Sequence, residues 1–302
     1  MIRYLDPKYD LTFKRVFGEH KHLCISLINS MLPPDENREA VEIEYVTGEM
    51  IPQLDALKYS VMNVRCTDSY GQRFAVKIQM EWTGSFENRV LPDASNACIV
   101  QLDRTQKYRM PYPVYAIFFV NAIFEKSPEM KDEYYHHYKT VNVWRTKRRI
   151  DGLELILIEL PKFKPYTCVM REQHKLWLRF LTEINERTDG VPSELLSDAC
   201  IRKAIQYVDV NACNKSQLLT YDQAKMDVMT AVSALSETKE EGIRIGLAKG
   251  LAKRLAKGRA EGRAEAAAKI AVNLLKSGMS PEEVHKFTEL PPEEIRKLKD
   301  GI

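Results

Sequence analysis

The amino-acid sequence predicts an α/β protein, a mixed sheet flanked by helices and followed by a helical C-terminal extension. Three observations predict it. Apolar residues at helical spacing near the N-terminus give way to three stretches that alternate with a period of two. A second helical stretch is followed by the continuous apolar run "PVYAIFFVNAIF" (113–124), suited to a fully buried strand. From about residue 170 the spacing is again helical.

Taken in order, "DPKYDLTFKRVFGEHKHLCISLINSML" places Leu11, Phe13, Val16 and Phe17, then Leu23, Leu27, Ile28 and Met31, on helical faces, with a break at Gly18 and a stop at Pro33–Pro34. "VEIEYVTGE" (41–49), Val61–Thr67 and Arg73–Met80 read as three strands. The last two are joined by "DSYG", whose Gly71 supplies the positive φ of a tight turn. Ser85–Tyr108 returns to helix, with a kink or a late start expected at Pro92, because an interior proline costs about 3 kcal/mol. "LELILIELPKF" (153–163) is a later strand closed by Pro161.

After about residue 170, Leu176, Trp177, Phe180, Leu181 and Ile184 form one apolar stripe, read as packing. The next segment repeats with a period of four, through Gly242, Gly246, Gly250, Gly258 and Gly262. Its interior glycines, each costing about 1 kcal/mol relative to alanine, predict a weakly stable helix. "SPEEV" carries a capping box, with Ser280 as N-cap, Pro281 at the first helical position and Glu283 closing it, and "PPEEIRKLKDG" repeats the logic. The resulting organisation is a sheet-containing domain over 1–165, a helical extension over 166–240, a basic glycine-tetrad helix or linker over 241–269 and a small helical tip over 270–302. The tip can be read as a helix-turn-helix DNA reader or, since no basic recognition helix stands out, equally as a peripheral packing or oligomerisation module.

The chain has 302 residues, 44% of them hydrophobic and 29% charged, enough for one substantial core. No apolar run approaches the roughly 20 residues of a membrane span and the first residues lack the layout of a signal peptide, so a cytoplasmic location is expected. Cys24, Cys66, Cys98, Cys168, Cys200 and Cys213 form no C-x-x-C pair and are expected as reduced thiols. His136 and His137, adjacent on a strand, point to opposite faces and do not suggest zinc. Net charge is +3, but Glu241–Lys269 holds eight basic residues against three acidic ones.

Several stretches together carry a resemblance: "DPKYDLTFKRVFG" (6–18), the hairpin "SVMNVRCTDSYGQRFAVKIQ" (60–79), "QL" (101–102) followed by "YPVYAI" (112–117), "ELPKF" (159–163), the glycine tetrads and "LLKSGMSPEEV". In this order they resemble the PD-(D/E)XK nucleases, and among these the recombination-promoting nuclease and transposase family, Rpn. The resemblance implies a restriction-endonuclease-like core and a Mg²⁺-dependent DNA endonuclease. Its metal would sit between an aspartate on the second strand and a glutamate on the third, with a nearby glutamine or lysine as the third motif residue. Neighbouring strands about 4.8 Å apart make such a D and E-x-Q converge on a cation that takes oxygen ligands and activates water.

In this sequence the aspartate position is Asn63 and the glutamate position is Lys77, while Gln79 remains and Asp10 matches the acidic residue of the first helix. The exchange moves the local charge three units toward positive, so no metal is expected and cleavage is predicted to be weakened or lost. Two alternatives stay open. A displaced active site would use Asp10, Asp68 or Glu81 with Mg²⁺. A non-catalytic module would bind DNA phosphates or a protein partner, with Arg65, Arg73 and Lys77 as the cationic face and the C-terminal helices as a homo-oligomer contact. Under the plainest reading, Lys77 is a surface residue paired with Asp55, Asp68 or Glu81.

Overall fold

The computed structural model describes residues 3–34, 38–46, 61–83, 86–99, 112–167 and 170–301. "QL" at 101–102, Asp55 and Cys168 lie outside them. The apolar spacing near the N-terminus produces helix α1 (Asp10–Phe13), a π-helical turn over Lys14–Gly18, and α2 (Lys21–Met31). The break thus falls at Gly18, and Pro33–Pro34 follow the end of α2.

Strands β1 (Ala40–Tyr45), β2 (Val61–Asp68) and β3 (Arg73–Glu81) form an antiparallel meander. Helix α3 (Glu87–Ile99) then leads toward β4 (Val114–Val120), which lies parallel to β3. β5 (Tyr135–Asn142) and β6 (Arg145–Glu159) complete a six-stranded mixed sheet in the order β1-β2-β3-β4-β6-β5, with β6 parallel to β4.

Two features depart from the sequence expectation. Pro92 does not delay α3, which starts at Glu87 and runs through it. The bond that the proline lacks would go to the carbonyl of Asn88, and both residues are exposed, so water can serve that carbonyl. β5 and the first half of β6 carry no apolar alternation: β5 is mostly polar, with His136 buried, and 145–151 is exposed and largely basic, which is why periodicity points to 153–163 alone.

Side chains alternate across the sheet and two layers follow. Val64, Cys66, Phe74, Val76, Ile78, Met80, Tyr115, Ile117, Phe119, Ile156 and Ile158 face the main core, shared with α2, α4 (Glu172–Glu183) and α6 (Ala199–Tyr207). There Phe17 packs 5.2 Å from Trp177 and 6.4 Å from Phe180, each ring contributing about 1.5–3 kcal/mol by its burial. The stripe read at 176–184 is therefore packing, as expected. The opposite face carries Ala116, Phe118, Val120 and Leu157 and is covered by α3 through Val90 and Ala94, together with Phe86 just before that helix.

The chain divides into two compact units, Met1–Ser233 and Ala234–Ile302. The first also contains the short α5 (Ser193–Ser197) and the start of α7 (Lys215–Lys276). In the second, α8 (Pro281–Thr288) and α9 (Pro292–Asp300) pack on the end of α7 around Ala271, Val284, Leu290 and Ile295. Both hydrogen bonds of the Ser280–Glu283 capping box form. The glycine tetrads lie within α7 as continuous helix. Among the described residues no helix is long and apolar enough to cross a membrane.

Candidate active site

The β2–β3 hairpin is set by its turn. Oδ1 of Asp68 accepts the backbone N–H groups of Tyr70 at 2.9 Å and Gln72 at 2.8 Å, and Gly71 takes φ +74°. That closure fixes the register, with Asn63 opposite Lys77, Val61 opposite Gln79 and Arg65 opposite Ala75. By the period of two, Asn63 and Arg65 share a face with Lys77, Gln79 and Glu81. The main core takes the other face. The shared orientation expected from the sequence is thus the one the hairpin adopts.

The face is covered. Lys77 is only 5% exposed and Gln79 and Glu81 are buried, so Lys77 is not the surface residue of the plainest reading. Nε2 of Gln79 donates to Oε1 of Glu81 at 2.6 Å and to Oδ2 of Asp93 at 3.1 Å. Nη2 of Arg89 donates to Oε2 of Glu81 at 3.0 Å. Arg89 and Asp93, four residues apart on α3, project from one side of that helix onto the sheet. A group of two cations, two carboxyls and one amide results, buried on β3 and half-buried on α3.

Burial governs its electrostatics. The Glu81 carboxyl is pushed up to about 7 by desolvation and by the neighbouring Asp93, against the lowering effects of Arg89, the Gln79 hydrogen bond and Lys77. Burial lowers the pKa of Lys77, while Asp93 and Glu81 pull it back. The Lys77 amine makes no hydrogen bond or ion pair among the described residues, and Oε1 of Gln79 is buried without a hydrogen-bond partner. A buried acceptor of this kind typically costs about 1–3 kcal/mol.

These residues do not fit a divalent cation. Both carboxyls are turned toward N–H donors, the residue facing the strand partner is an ammonium, and Asn63 offers no charge. Among the described residues no three side chains of metal-ligating type converge.

The remaining predicted residues stand elsewhere. Asp10, in the first turn of α1, is ion-paired with Lys14 at 3.0 Å. It lines a cleft of about 420 Å³ with Arg15, Glu19, Gln223 and Asp227, and no hydrogen bond or ion pair joins it to the β3 group. Asp68 is committed to the turn. Arg65 pairs with Glu44 of β1 at 2.9 Å, and the Arg73 guanidinium lies 6.0 Å from the centre of the Tyr112 ring.

"ELPKF" has a packing role. Buried Glu159 accepts from Lys162 at 2.7 Å and from the Phe124 N–H at 2.8 Å, and lies 3.0 Å from His136. His137 turns to the other side, to Glu154, so the histidine pair diverges as expected.

Sequence reasoning missed Arg89 and Asp93. The signal was present in α3: Val90, Ala94, Ala97 and Cys98 form its buried stripe, and residues 89 and 93 flank that stripe one helical turn apart.

No curated protein and no solved structure matches the chain. The profile of the PD-(D/E)XK nuclease family transposases matches residues 7–237, which takes in all six strands and the helices against them. With a hairpin that aims its motif positions at one covered face of a mixed sheet, the chain belongs to the PD-(D/E)XK nuclease family transposases.

Proposed function

We propose that this protein is a nuclease-fold, DNA-binding member of its family, of the Rpn kind, whose metal-dependent cleavage is weakened or lost. The observation that carries the reading is the pairing of Asn63 with a buried Lys77. The resemblance asks for aspartate and glutamate at those positions, and an ammonium there repels a divalent cation. Lys77, buried in the face that α3 covers, cannot reach a phosphate itself, whereas the exposed Arg73 and the half-buried Arg65 can hold one without activating water against it. DNA is the partner, the cytoplasm the location, and the C-terminal helices a means of self-association.

A plasmid-nicking assay with Mg²⁺ or Mn²⁺ tests the reading. The wild-type chain is expected to leave supercoiled plasmid intact, and the Asn63→Asp/Lys77→Glu double variant to gain Mn²⁺ binding measurable by calorimetry. Robust nicking by the wild type that disappears in Glu81→Ala would overturn it.

That outcome would favour the second reading, an active enzyme with displaced carboxylates among Asp10, Asp68 and Glu81. Its support is the closeness of Glu81 to Asp93, both bonded to one amide nitrogen. Against it, Asp68 is engaged by backbone N–H groups and Asp10 by Lys14.

A further inference from the structure

The edge hairpin outgrows the sheet. β6 pairs with β4 only from Leu153 to Glu159, yet it begins at Arg145, so among the described residues its first half has β5 as its sole strand partner. The reach of this two-stranded ribbon is set by the shorter strand: Lys139 is level with Glu154 and the tip follows within five residues, so at about 3.3 Å per residue the ribbon reaches at most roughly 15 Å beyond the sheet, the extra residues of β6 being taken up in bulges. Its tip is ordered by Asn142, whose Oδ1 accepts the N–H groups of Trp144 at 3.0 Å and Arg145 at 2.9 Å. The register is irregular between Lys139 and Asn142, which adds local twist.

Every residue from Thr140 to Asp151 is exposed, and Trp144 at the tip is 92% exposed, with Val143 beside it at 82%. A ribbon of two strands is marginal in water, and packing within the fold gives no reason to hold a tryptophan outward. The composition gives one. Residues 139–150 include Lys139, Arg145, Lys147, Arg148 and Arg149 and no acidic residue. Lys139 and Arg149 reach Glu154 and Asp151. Arg145, Lys147 and Arg148 enter no ion pair among the described residues.

The root of the ribbon lies at the Arg73 end of the sheet. Leu153 is in register with Val114, and Val114 with Ala75, two residues before Lys77 on β3. The ribbon therefore leaves the sheet at the end where Arg73 stands, with Lys77 midway along β3 and Glu81 at the far end.

We infer that the β5–β6 ribbon is a DNA-holding arm. Arg145, Lys147 and Arg148 contact phosphates of a duplex, and Trp144 packs against sugar or base edges at the tip. A two-stranded ribbon fits a major groove about 12 Å wide, and the run of cations matches the charge of the backbone. The inference rests on the reading that the protein binds DNA and assigns the surface that does so.

The test uses the full chain and a short labelled duplex of mixed sequence, with anisotropy followed between about 50 and 200 mM salt. In the Arg145→Gln/Lys147→Gln/Arg148→Gln variant, the slope of log affinity against log salt should fall in magnitude by about 2–3, as three lost phosphate contacts require. Affinity at low salt should fall at least about tenfold. Trp144→Ala should weaken binding with the slope unchanged. These positions are exposed, so circular dichroism should show an unaltered fold.

A wild-type chain that binds DNA while the triple variant binds with the same slope overturns the arm and leaves DNA binding standing. A wild-type chain that binds no duplex overturns both. Binding only to phosphatidylserine vesicles, lost in the triple variant, overturns the DNA arm in favour of a membrane-surface contact.

Discussion

Glu81 and His174 respond to pH with opposite signs. Glu81, raised to about 7, holds a proton in the folded state that the unfolded chain releases near 4.5, so stability falls as pH rises through that interval. His174 is buried between the Ser30 carbonyl at 2.8 Å and the Tyr134 hydroxyl at 3.2 Å, and burial lowers it to about 4. It stays neutral when folded but gains a proton near 6.5 when unfolded, so stability falls as pH drops through 6.5 toward 4. Each effect amounts to about 3 kcal/mol over its interval, and in the wild type the two largely offset one another between about pH 4.5 and 6.5. Glu81→Gln removes one of them. Measured by urea unfolding, the variant should gain on the wild type by about 3 kcal/mol between pH 4.5 and pH 8. A difference that stays constant across this range would show that Glu81 is not held protonated by its site.

Among the elements, α3 and the two hairpins decide what the fold can present. α3 covers the sheet with alanine and valine and brings Arg89 and Asp93 to Gln79 and Glu81 from the flank of that stripe. The β2–β3 hairpin is tied by Asp68 and Gly71, whereas the β5–β6 hairpin is left projecting. In the second unit the start of α8 is defined by chemistry legible in the sequence, its end by a backbone conformation that is not. Ser280 and Glu283 satisfy one another's backbone N–H groups, and Glu289 closes the helix at φ 58°. Ser280→Ala should cost about 1 kcal/mol, read as roughly fivefold faster amide exchange in α8 with no change in the sheet. Equal acceleration in both units would mean that the cap is not local to α8.

At the scale of the molecule, the cores of the two units are separate in sequence. The apolar clusters around the sheet use residues up to Val232, and the small cluster of the second unit begins at Ala267. A chain ending at Ser233 should therefore retain the main calorimetric unfolding transition within a few degrees, and a collapse of that transition would show that the sheet needs the tail. Net charge of +3 conceals two basic segments, the ribbon at 139–150 and the tetrad segment at 241–269, with the remainder net acidic.

The order of helices and strands from Asp10 to Val120 was legible in the sequence. So were the common face of Asn63, Lys77 and Gln79 and the cap at Ser280, because periodicity, turn glycines and capping residues act within a few positions along the chain. The burial of Lys77, the bonding of Gln79 to both Glu81 and Asp93, and the projection of the basic ribbon were decided by tertiary structure alone. They depend on which face α3 covers and on where β4 stops pairing with β6, and neither is encoded in local spacing.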